Sequence, residues 1–153
     1  MGAALPYAAV GASLLAARQA SAIGSFNQAV AERNATIAEQ EAEAQKKLTT
    51  YNLNKFNQSF EKLQSRTRVS LLKSGVELSG TALKILQSNA EQAELQRNVI
   101  EYNGQVAEAK KLEEATFSRI SGTLAKRQAN LQALGYISQA GTSLLNMKQV
   151  GII

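Results

Sequence analysis

Large apolar residues recur along the chain at helical intervals. Phe26, Ile37 and Leu48 stand eleven residues apart, as do Phe60 and Leu71. An eleven-residue step stays nearly in line on a helix, so these side chains form a slowly drifting seam. Asn and Gln fill many places between them, including Asn27, Gln28, Asn34, Gln40 and Gln45. Between Gly24 and Gly75 there is neither glycine nor proline, which predicts one helix over Ser25–Ser74, on the order of 75 Å long. A turn follows in Ser74-Gly75-Val76-Glu77-Leu78-Ser79-Gly80. A second helix begins at Thr81, with Ser79 or Thr81 as its cap and Gly75 ending the first in a left-handed conformation. Leu83, Leu86, Ala90 and Ala93 keep three-four spacing, and Phe117, Ile120, Leu124, Leu131 and Leu134 continue that seam. Gly104 and Gly122 interrupt it, as kinks or as points of close packing.

A different pattern marks the beginning of the chain. Ala8, Ala12, Ala16, Ala20 and Gly24 recur every four residues, with Ala9, Ser13, Ala17, Ser21 and Ser25 beside them. Such faces let helix backbones approach closely, inside membranes or in a tightly packed soluble bundle. The opening uncharged run lacks the basic stretch of a secretory signal, and Pro6 stands where a myristoylation motif wants Ser or Thr. The same run is short and alanine-rich for a membrane span.

The predicted segments are therefore 1–24, small-residue-rich and helical; 25–74, the first long helix; 75–80, the turn; 81–134, the second long helix; and 135–153, an uncharged tail. The fold expected is all-α: an elongated antiparallel hairpin of two long helices with apolar, small-residue-rich termini, assembling into an oligomeric ring or bundle. A two-helix hairpin buries one stripe per helix, so its stability has to come largely from neighbouring copies or partners.

Charge layout sharpens this. The net charge is +5, yet residues 1–31 hold one charged side chain, Arg18, and residues 129–153 hold one, Lys148. An antiparallel hairpin brings these uncharged ends together at one pole. The expected membrane-contacting or oligomer-interface residues are Leu5, Val10, Ala12, Leu14, Leu15, Ala16, Ile137, Leu144 and Leu145. Gly75 and Gly80 shape the turn. Near it Lys62, Arg66, Arg68 and Lys73 form a basic stretch, the candidate contact for DNA or an acidic partner. Glu43 and Lys47 have the favourable helical spacing for an ion pair.

With no His and no Cys, imidazole bases, Cys/His zinc sites, thiol chemistry and disulfides are excluded. No catalytic residue, cofactor or metal is expected, and the chain is not read as an enzyme.

The run Ser74-Gly75-Val76-Glu77-Leu78-Ser79-Gly80-Thr81-Ala82-Leu83-Lys84-Ile85-Leu86, then Ala93-Glu94-Leu95 and Ile100-Glu101-Tyr102-Asn103-Gly104, resembles a pattern of small internal virion proteins of T7-like podophages. Asn27, Ala31, Asn34, Ala35 and Ile37 are similar as well, and the likeness covers about residues 10 to 147. Gln96 departs from the acidic residue the family often has there. The resemblance implies a protein of the capsid interior, in a core stacked on the portal with other internal virion proteins. It implies ejection at infection to form part of a conduit across the host outer membrane. A purely structural assembly protein, such as a portal adaptor, scaffold or spacer, explains the long helices equally well. A nucleic-acid-binding helical protein is the third class.

Overall fold

The computed structural model describes residues 4–75 and 80–149, with the side chains of 4–7 and 147 outside that description. Two helices make up almost all of it: α1, Ala4–Lys73, and α2, Thr81–Gln149. They pack against each other as a hairpin, and there is no strand among the described residues. α1 runs through Gly24 without a break, and α2 runs through Gly135 and Gly141 to Gln149. The divisions expected after residues 24 and 134 are therefore not ends of helix. A glycine inside a helix costs about 1 kcal/mol against alanine, too little to stop a helix of this length.

The turn is built as its glycines require. The Ser74 amide donates to the Ser70 carbonyl at 3.1 Å and the Gly75 amide to Leu72 at 3.2 Å, closing α1 with one bond of a Schellman end. Gly75 has φ 72° and Gly80 φ 57°, in the left-handed region where a side chain is strained. α2 opens on the Gly80 carbonyl, which accepts from the Lys84 amide at 3.2 Å. Gly80 thus holds the cap position and Thr81 is the first helical residue, while Ser79 lies outside the described residues.

The chain divides into two compact units. One comprises residues 1–37 and 114–153, so both uncharged ends belong to it. Its buried positions are Ala17, Gly24 and Ala35 on α1, and Ala115, Gly122, Ala129, Ala133 and Ala140 on α2. A methyl group added to Gly24 would strike that of Ala129, and one added to Gly122 would strike that of Ala31. These pairs fix an antiparallel register, since seven residues forward on α1 match seven backward on α2. Arg119 Nε donates to Glu32 Oε1 at 3.0 Å across the same pair of helices.

The second unit comprises residues 38–113. Ala38, Ala42, Ala82 and Ala93 are buried in it, and Gly104 sits directly against Thr49. Lys111 Nζ lies 2.7 Å from Glu41 Oε2. Towards the turn the contact widens to larger groups, the half-buried Leu53, Phe56, Phe60, Leu71 and Leu86. Hydroxyls within the helices are satisfied locally, Thr49 Oγ1 donating to the Gln45 carbonyl at 2.9 Å and Ser59 Oγ to Lys55 at 2.9 Å.

The core is thus alanine and glycine, and most of the large side chains of the seams lie outside it. Phe26 is 68% exposed, Phe117 70% and Leu131 68%, and Ile37, Leu48, Ile120, Leu124 and Leu134 are exposed with them. The physical reason lies in continuity. Small residues at three- and four-residue steps, Ala17, Ala20, Gly24, Ala31, Ala35, Ala38 and Ala42, with the half-buried Gln28 among them, give α1 a flat face. Steps of four alone drift away from that face, so of the row Ala8, Ala12, Ala16, Ala20 and Gly24 only Gly24 is buried. Gly104 and Gly122 are points of close packing.

Candidate interaction surfaces

At the uncharged pole, α1 and α2 leave an open groove of about 650 Å³. It is lined by Gly11, Leu14, Leu15, Ala17, Arg18 and Ser21 from α1 and by Ala133 and Ile137 from α2. Three of the expected contact residues, Leu14, Leu15 and Ile137, are therefore brought together. Arg18, the one charged residue of the first 31, lies beside them. Leu144 and Leu145 are exposed further along α2, Ala12 is exposed, and Val10 and Ala16 are half-buried. The Leu5 side chain lies outside the described residues. No described helix is long and apolar enough to cross a membrane.

A second surface follows from the inverted core. On α2, Phe117, Ile120, Leu124, Leu131 and Leu134 are all exposed and lie about half a helical circumference from Ala115, Gly122 and Ala129. α2 therefore carries two apolar faces: a small-residue face against α1 and a large-residue face towards solvent. α1 has its own outward row, Ile23, Val30 and Ile37 at seven-residue steps with Phe26 between. Sequence reasoning missed Ile23 and Val30. Their heptad spacing with Ile37 was the available signal.

At the turn end, the basic stretch divides. Lys62, Arg66 and Lys73 follow one another at four and seven residues, which places them on one side of α1. Arg66 and Lys73 line one depression with Ser65, Val69 and Ser70. Arg68 lines another, with Gln64, Ser65, Leu83 and Leu86. Lys55, seven residues before Lys62, joins the first side and was missed. All five cations are exposed.

The electrostatics are those of a solvated surface. The carboxylate of Glu43 accepts from Lys47 at 2.7 Å, and that hydrogen bond, then the Lys47 charge, holds its pKa below the ordinary glutamate value. No cluster of acidic, His or Cys side chains among the described residues could hold a metal ion. Among them no buried side-chain polar atom lacks a partner.

No family model, curated protein or solved structure matches the chain.

Proposed function

We propose that this chain is a self-assembling helical subunit of a phage's internal virion core, ejected at infection to help form a channel for the genome across the host envelope. The observation that carries self-assembly is the inverted core, with small residues between the helices and large apolar residues outside. Its scale is substantial. A compact monomer of 16.4 kDa exposes about 7,500 Å² of surface, whereas this chain exposes 11410 Å². The excess of about 3,900 Å² is more than the roughly 1,000–2,500 Å² that each subunit of an obligate pair buries, which leaves surface for more than one neighbour.

Support for the virion role comes from the resemblance in the Ser74–Leu86 run and in the Ala93–Leu95 and Ile100–Gly104 elements. Support for envelope contact comes from the uncharged pole, where Leu14, Leu15 and Ile137 face one groove. Several subunits pooling such poles would offer lipid an apolar ring while Gln, Ser and Asn face a lumen. In intact particles the protein is expected inside the capsid, above the portal. Finding it on the capsid exterior would remove the proposal.

A structural assembly role without membrane activity is the second reading. The lack of a membrane-crossing helix among the described residues favours it. Dye leakage from anionic liposomes separates the two. Leakage by the full-length chain that disappears when residues 1–24 are deleted supports the channel, and equal, negligible leakage from both supports the spacer.

A further inference from the structure

The outward face of α2 is interrupted by charge at two places, and their signs are opposite. Following three- and four-residue steps, the face reads Glu113, Phe117, Ile120, Leu124, Arg127, Leu131, Leu134. All seven residues are exposed. Neither Glu113 nor Arg127 has an ion-pair partner within 4 Å among the described residues. We propose that this face is a two-fold contact with a second copy of the chain, packed antiparallel and crossing between Ile120 and Leu124. The inference rests on the self-assembly reading; antiparallel packing sets the uncharged poles of the two copies apart, so it describes how copies pack in the virion core, and the pooled ring is a separate, later arrangement.

Charge and register both select the antiparallel arrangement. Any contact between two copies through this face covers Glu113 and Arg127 together with the large apolar groups. Parallel copies in register set Arg127 against Arg127 and Glu113 against Glu113, and like charges removed from water repel strongly. Antiparallel copies crossing between Ile120 and Leu124 place each Ile120 level with the other copy's Leu124. Each Arg127 then comes level with the other copy's Phe117, one helical turn from its Glu113. A guanidinium spans that distance, stacking on the ring while pairing with the carboxylate. In antiparallel coiled coils the two kinds of seam position alternate across the interface in this way, so the register also lets the side chains interdigitate. The occupant is a second copy because the face is self-complementary.

The chain has no cysteine, so introduced thiols report contacts without interference. Oxidising a mixture of the Ile120→Cys and Leu124→Cys chains is expected to give mainly the mixed disulfide. Glu113→Cys mixed with Arg127→Cys is expected to join through a short bis-thiol linker. Arg127→Cys alone, with the two thiols about ten residues apart along the crossing, is expected to stay uncoupled. In a second measurement, Arg127→Glu weakens association at least about tenfold, and Arg127→Glu with Glu113→Arg restores it to within about threefold. Ready self-coupling of Arg127→Cys would mean parallel packing and overturn the proposal. Coupling of 113 to 127 without 120 to 124 would mean another register, either a parallel stagger or an antiparallel crossing at Ile120, and overturn it too. If the chain associates but none of these couplings forms, this contact is wrong and self-assembly stands. If the chain is monomeric, both fall.

Discussion

A methyl group placed on Gly122 would stand 2.5 Å from the methyl of Ala31 and 3.4 Å from the α-carbon of Gln28. The nearer contact is with a rigid side chain and the other with backbone, so the helices would have to move apart. Gly122→Ala is therefore expected to lower hairpin stability by about 1–3 kcal/mol despite alanine's better helix propensity. Gly135, with nothing within 4 Å of an added methyl, is the control. Gly135→Ala should gain up to about 1 kcal/mol. Thermal unfolding followed by circular dichroism compares them, and equal effects would refute close approach at Gly122.

The turn offers a second comparison. Gly75→Ala must hold an L side chain at φ 72°, which costs roughly 1–2 kcal/mol. Gly141→Ala in α2 carries no such conformational cost and no neighbour within 4 Å. Urea denaturation should show a lower midpoint for the first and an unchanged or higher midpoint for the second.

Any polyanion bound at the turn end is expected to follow the side of α1 that carries Lys55, Lys62, Arg66 and Lys73. Lys62→Gln and Arg66→Gln should each reduce the slope of log affinity for duplex DNA against log salt by about 1. Arg68→Gln should leave that slope unchanged, because Arg68 lines a different depression. A salt response insensitive to all three would exclude this face as a DNA contact.

The Glu43 carboxyl should titrate below the ordinary glutamate range, and Lys47→Met should return it there, as carbon-detected NMR can measure. The sign follows from linkage: a carboxyl whose folded pKa is depressed adds stability above its unfolded pKa, and that contribution is lost as pH falls through the folded value. Both groups are exposed, so high salt should shrink the difference between wild type and variant.

Much of the architecture is legible in the sequence. The glycine-free run after Gly24, the Gly75–Gly80 turn and the placement of Arg18 and Lys148 in long uncharged stretches all lead to a hairpin with both uncharged ends in one unit. Which stripe faces inward is not legible from periodicity, because Phe117, Ile120 and Leu124 repeat as regularly as Ala115, Gly122 and Ala129. Hydrophobicity ranks leucine above alanine and points to the larger set. Contact between two helix backbones favours the smaller set, because nothing holds the axes apart. The basic residues show the same limit. Lys62, Arg66 and Arg68 are near in sequence, but a two-residue step on a helix sends Arg68 to another side.

The account turns on the large apolar faces being covered by other copies, and sedimentation equilibrium of the full-length chain at micromolar concentration tests this directly. It predicts a dimer or larger species that dissociates when Ile120 and Leu124 are both replaced by Gln, with helix content preserved. A monomer that remains soluble across the concentration range would contradict it.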